Sequence, residues 1–179
     1  MHAALVHSPA SSPHSTKGNH LYHKTVYAGW GDTDANLHMA GAAYLNKCAD
    51  VRMMLFAENG FPASEWLRLR IGPVAMRDEL EYFKEVGLLQ EIRVTCALAG
   101  LSTEGSRWRV RQEILRADGR VCARVTSTGG WLDTLTRKLV IPSEVMLAVL
   151  NGLDRTEDFD VLTSSIEAGS GVSGHNWRP

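Results

Sequence analysis

Hydrophobic positions along this chain follow two different periods, and the changes between them predict its elements. Leu21 to Ala28 alternates loosely and carries Thr25, Val26 and Tyr27, which predicts a first strand. Gly29 to His38 follows, rich in the Asp, Asn and Gly that favour turns and helix starts. From Gly41 to Asn59 the period becomes helical, with Leu45, Cys48, Ala49, the stem of Arg52, Leu55 and Phe56 near one face. Gly60 with Phe61-Pro62 predicts the helix stop. Alternation then returns. Val74, Met76, Leu80 and Tyr82 share one parity against Arg77, Glu79 and Glu81. Leu89 to Leu98 places Ile92, Val94, Cys96 and Leu98 on one face, and Trp108, Val110, Gln112 and Ile114 mark the next strand. Asp118-Gly119 predicts a hairpin into Val121 to Trp131, and Pro142 opens a last short helix to about Leu150.

The order strand, loop, long helix, four antiparallel strands and closing helix predicts an α+β layer structure with the helix across the sheet. The predicted domain covers residues 20–151. Residues 1–19, rich in Ser, Pro and His, and the polar residues 152–179 lack a sustained apolar period and are expected to be flexible tails. One helix covers one face of such a sheet and leaves edge strands unpaired, so a homodimer or homotetramer is expected.

Composition narrows the function classes. The chain has 179 residues, 44% hydrophobic and 22% charged, with a formal net charge of -1. Nothing in that balance favours a nucleic-acid or membrane-surface partner. Arg107, Arg109 and Arg111 alternate with Trp108 and Val110, the pattern of a strand's exposed face. Three cysteines, Cys48, Cys96 and Cys122, sit far apart among apolar residues and read as buried thiols in a reducing compartment. The N-terminus has neither a basic segment nor a long apolar run, so a cytoplasmic location is expected. His20 and His23 have no further ligands grouped near them, and no metal or cofactor is expected.

Chemistry concentrates in the loop before the long helix. In an extended loop Asp34, Asn36 and His38 share a parity, so a carboxylate, an amide and an imidazole can face one space and act on water. The helix start at Ala40-Gly41 adds free backbone N–H groups and a positive dipole end, suited to an oxyanion. Gly41 lets a substrate approach that backbone closely. From spacing alone, the same residues read equally well as a helix cap with a satisfied loop histidine.

The run from Gly29 to Met39, with Ala43-Tyr44-Leu45 after it, resembles the active-site segment of hotdog-fold thioesterases. It is similar to the acyl-CoA thioesterases of the 4-hydroxybenzoyl-CoA thioesterase superfamily and to plant-type acyl-ACP thioesterases. The likeness continues through Glu79 to Tyr82, Asp118-Gly119, Trp131 to Asp133, Arg137-Lys138 and Pro142, and spans roughly Leu21 to Leu150. It implies a hotdog fold, with the long central helix packed on a five-stranded antiparallel sheet. It also implies metal-independent hydrolysis of an acyl-CoA or acyl-carrier-protein thioester. The family's catalytic carboxylate falls on Asp34, as general base or nucleophile. Its assisting residues fall on Asn36 and His38, and the acyl-ACP branch's glutamate falls on Glu85. Asp32 takes a structural place in the loop. Where relatives often continue with Asn-Asn, this chain has Ala40-Gly41, which bears on substrate class more than on fold. Two alternatives keep the same fold: an enoyl-thioester hydratase or dehydratase, and a non-catalytic acyl-CoA-binding domain.

Overall fold

Strand β4, Arg107–Arg116, shows why the sheet forms where it does. Trp108, Val110, Gln112 and Ile114 are all buried on one face, while the arginines between them point to the other. The computed structural model describes residues 21–166. Its remaining strands are β1 (Tyr22–Tyr27), β2 (Ile71–Tyr82), β3 (Glu91–Ser102), β5 (Val121–Asp133), β6 (Lys138–Val140) and β7 (Arg155–Leu162). Helices α1 (Gly41–Glu58), α2 (Ala63–Leu69) and α3 (Glu144–Asn151) complete the element order. The sheet runs β1-β3-β4-β5-β2, with every neighbour on that path antiparallel. A long helix packed on a five-stranded antiparallel path is the architecture expected above.

α1 covers the inner face. Tyr44, Cys48, Val51 and Leu55, spaced three and four apart, form its buried row. Each large apolar side chain placed there contributes roughly 1.5–3 kcal/mol on leaving water. Asn59 ends the helix and Gly60 follows at φ 92°, a left-handed position that glycine adopts without steric cost. The core beneath α1 has two halves. Toward its start lie Ile92, Val94, Ile114 and Val125; toward its end lie Leu98, Trp108, Val110 and Trp131 with Leu150.

Between the halves runs a buried polar seam. Arg52 Nη1 donates to Gln112 Oε1 at 2.6 Å and to Ser127 Oγ at 3.0 Å. Gln112 Nε2 donates to the Cys48 carbonyl at 3.0 Å, and Ser127 Oγ donates to Asp78 Oδ1 at 2.5 Å. Gln112 and Ser127 are completely buried, so these bonds are what makes their burial tolerable.

Several elements depart from the sequence expectation. The C-terminal tail does not begin at residue 152, because β7 joins the sheet by parallel pairing with β3. The folded domain therefore extends through β7; residues 1–20 and 167–179, which include all of the first expected tail and less than half of the second, lie outside the described residues. β7 hides from apolar periodicity because its acidic side chains are used. Asp158 takes both nitrogens of Arg111 at 2.8 Å, and Asp160 lies 3.9 Å from Arg109. In β2 the register shifts between Ala75 and Arg77, leaving Met76 as an extra residue. Pro73 and Ala75 face inward before this bulge, opposite Trp131 and Gly129; Asp78, Leu80 and Tyr82 do so after it, opposite Ser127, Val125 and Ala123. The single parity expected for Val74 through Tyr82 is thus broken. α2, too short for a periodic signal, carries Trp66 into an aromatic cluster with Phe56, Phe61 and Trp131. Ser143 caps α3 rather than Pro142, its side chain accepting the Met146 N–H at 3.4 Å.

Arg111, and then Thr156, hold the Asp158 carboxyl well below the usual carboxylate range. A carboxyl depressed by folding stabilises above its unfolded value and loses that contribution as pH falls through its folded value. Asp158→Asn should therefore lower the Tm modestly at neutral pH. The difference from wild type should hold down to about pH 4, the ordinary aspartate value, and close in more acidic solution. Thermal melts of both proteins across pH check this.

Candidate active site

The loop between β1 and α1 is held by backbone pairing to the segment after β2. Met39 N–H donates to the Val86 carbonyl at 2.8 Å and Leu88 N–H to the Leu37 carbonyl at 3.0 Å. Phe83 and Lys84 N–H groups both donate to the Cys122 carbonyl, fixing that segment against β5. Met39, Val86 and Ala28 are buried in the core half beneath the start of α1 and anchor the loop from below.

Asp32 ties the loop together. One carboxylate oxygen accepts the Gly29 N–H at 2.7 Å and pairs with Lys47 of α1 at 2.7 Å, with both side chains about one-fifth exposed. Its backbone carbonyl accepts the Ala40 N–H at 2.8 Å. The structural place expected for Asp32 is the one it occupies.

Asp34 lies at the exposed tip of the loop. Asp34 N–H donates to the His38 carbonyl at 2.9 Å, and Leu37 N–H donates back to the Asp34 carbonyl at 3.1 Å, closing a tight turn. Leu37 sits at φ 60°, a left-handed conformation that costs a non-glycine residue roughly 1–2 kcal/mol. Asp34 Oδ1 accepts the Asn36 N–H at 2.8 Å and, at 3.4 Å, the His38 N–H. These bonds orient the carboxylate and leave Oδ2 without a hydrogen-bond partner among the described residues. Asp34 and Asn36 do not cap α1: its cap position, Ala40, receives no side-chain bond.

The turn replaces the extended loop that would have put Asp34, Asn36 and His38 on one parity. His38 instead faces Glu85, with Nδ1 3.7 Å from a Glu85 carboxylate oxygen. Asn36 is exposed and its side-chain amide bonds to neither partner. The structure therefore brings His38 and Glu85 together, keeps Asp34 hydrogen-bonded to the His38 backbone, and sets the Asn36 amide apart.

One donor assigned from sequence needs correction. The Ala40 N–H is consumed by the Asp32 carbonyl, so it is unavailable to an oxyanion. The uncommitted amides are those of Gly41 and Ala42, the first two residues of α1, which have no acceptor among the described residues. Sequence reasoning also missed Tyr82. A Cβ on Gly41 would come 2.8 Å from the Tyr82 hydroxyl, so the missing side chain makes room for that phenol. Tyr82 packs edge-on against Tyr44 at 5.3 Å, is exposed, and has its hydroxyl at the helix start. No short-range motif joins Gly41 to Tyr82; only the fold does.

Residues 28–150 match the family model of the thioesterase-like superfamily, well over half of the chain, and the chain belongs to that superfamily. No curated protein matches it. Solved structures share its hotdog fold. A hypothetical Staphylococcus aureus protein in complex with CoA superposes with a TM-score of 0.68 at 16% identity, covering 87% of this chain and 96% of that one. A 1,4-dihydroxy-2-naphthoyl-CoA thioesterase from Synechocystis gives 0.66 at 12%, covering 76% and 100%. A probable thioesterase from Escherichia coli gives 0.61 at 19%, covering 76% and 100%.

Because the Asp32–Lys47 pair is mostly withdrawn from water, Asp32→Ala should cost about 1–3 kcal/mol. Asp32→Asn retains an oxygen for Gly29 and should cost less. Chemical denaturation of the two variants against wild type measures the order.

Proposed function

We propose that this protein hydrolyses an acyl thioester, of coenzyme A or an acyl carrier protein, to a free acid and a thiol. The observation that carries this reading is the uncapped start of α1. Its Gly41 and Ala42 amides have no acceptor among the described residues and directly follow the loop that orients Asp34. Two adjacent N–H groups at the positive end of an 18-residue helix suit the oxygen of a carbonyl under attack. Membership of the thioesterase-like superfamily supports the reaction class, and the CoA complex of a structural neighbour supports coenzyme A as the thiol.

In this reading Asp34 Oδ2 takes a proton from water as the water oxygen bonds to the thioester carbon. The alternative role of Asp34 is direct attack, forming an anhydride that water then opens. In the general-base route the carbonyl electrons move onto oxygen and are held by the Gly41 and Ala42 amides. Collapse expels the sulfur, which receives the proton from Asp34. His38, facing Glu85, positions the water, and Asn36 holds the carboxylate through its backbone N–H rather than its side chain. A second copy of the chain would add to the cleft beside Tyr82. Among the described residues the outer edge of the twelve-residue β2 pairs with no strand, and Met76, Tyr82 and, just after the strand, Phe83 are exposed.

Asp34→Asn keeps an oxygen to accept the Asn36 and His38 amides but removes the base. It should reduce kcat by roughly 10²–10⁴-fold with little change in Tm. Thiol release from a panel of short, medium, long and aromatic acyl-CoAs is the assay. A folded Asp34→Asn protein turning over near the wild-type rate removes Asp34 from the mechanism.

A further inference from the structure

At the start of α1, Gly41 makes room for the Tyr82 hydroxyl of β2. Two turns farther along α1, beside the same two elements, lies a cavity of about 200 Å³ lined by Ala49, Arg52 and Phe56 of α1, Pro73 and Ala75 of β2, and Trp108 of β4. A void of about 150 Å³ holds a benzene ring, so this one has room for the end of an acyl chain. Its walls are apolar with one exception, the Arg52 guanidinium.

That guanidinium is half used. Nη1 makes both bonds of the polar seam, to Gln112 and Ser127, and locks the planar group in place. Nε and Nη2 have no protein acceptor among the described residues. They form the side of the guanidinium fork that matches the two oxygens of a carboxylate. Asp78 reaches this group only through the Ser127 hydroxyl and leaves those two donors free. Arg52 is only partly buried and these two donors are not among the buried unpaired atoms, so the fork stays open to an acceptor that an acyl group carries in.

Position along the helix sets the length of that group. An arginine stem on a helix leans toward the N-terminus, and Gln112 links the guanidinium to the carbonyl of Cys48. Cys48 lies seven residues from Gly41, or about 10 Å along the axis. An extended chain with carbon–carbon bonds of ~1.5 Å advances about 1.3 Å per carbon, so about eight carbons span the gap.

We infer that Arg52 selects the substrate: the cleft takes an acyl thioester of about eight carbons whose far end is a carboxylate, bound by Arg52 Nε and Nη2. This rests on the thioester-hydrolase reading and specifies its substrate class. Apolar acyl thioesters of equal length enter the same cleft but leave the fork unpaired.

The test compares suberoyl-CoA with octanoyl-CoA, equal in length and different only at the far end, by thiol release from the full chain. Wild type should show a kcat/KM at least ten-fold higher for suberoyl-CoA, the scale of a charge-assisted hydrogen bond. Arg52→Met should bring the ratio of the two to about one or below. Arg52→Lys, which keeps the charge without the fork, should fall between. The ratio is taken on one preparation, so loss of folded protein does not move it; a purely structural Arg52 lowers both substrates together. If Arg52→Met does not fold, Arg52→Lys alone must lower the ratio. A wild-type ratio at or below one with octanoyl-CoA hydrolysed, or a ratio unchanged in the folded variants, overturns the assignment and leaves the hydrolase reading standing. Absence of thiol release from every acyl-CoA and from the same acyl groups on an acyl carrier protein overturns the hydrolase reading itself, and this assignment with it.

Discussion

The placement of α1 on the sheet is the constraint on which the other features rest. Its row Tyr44, Cys48, Val51 and Leu55 can be buried only if the strands beneath present a matching apolar face. Yet the same helix carries Arg52 in its middle, and a guanidinium entering that interface requires acceptors. Gln112 on β4 and Ser127 on β5 sit at the level where it enters, between the two core halves. One polar rung therefore fixes how far α1 can slide along the sheet. That position places the helix start beside Tyr82 and the helix middle beside the cavity.

A helix placed this way exposes an uncapped N-terminus, which most helices avoid by recruiting a Ser, Thr, Asp or Asn. Here the nearby aspartates have other partners. Asp32 is spent on Gly29, Lys47 and, through its carbonyl, Ala40; Asp34 is spent on the turn that contains Asn36 and His38. The local cost falls on Leu37, whose left-handed backbone lets the turn close, and on the two free amides of the first helical turn. Unsatisfied donors at a helix start that follows a loop with an oriented carboxylate are a poor arrangement for stability and suit the proposed action on a carbonyl.

The buried thiols show the opposite relation between burial and chemistry. Burial pushes both Cys48 and Cys96 up to about 12, so neither forms a thiolate readily at neutral pH. They fill volume between α1 and the sheet. The arginines of β4 are likewise structural, since Arg109 and Arg111 hold β7 to the sheet.

By itself the sequence determined the elements with strong periods: α1 from Gly41, the alternation of β3 and β4, and the turn at Asp118-Gly119. It also singled out Asp34, Asn36, His38 and the start of α1 as a candidate site, because turn residues and a helix start are local properties. Relations that join distant residues were decided by the tertiary structure. The bulge at Met76 reverses which side of β2 faces inward, and β7 became visible only through its pairing with β3 and the arginines of β4. The Ala40 amide turned out to be spent because Asp32 folds back onto it, while Gly41 and Ala42 have no acceptor among the described residues. Arg52, read along the chain as a stem on an apolar helix face, became a candidate specificity residue once Gln112, Ser127 and the cavity surrounded it. Periodicity reports which face a side chain takes, but a hydrogen bond or a pocket requires partners many residues away, and only folding brings them together.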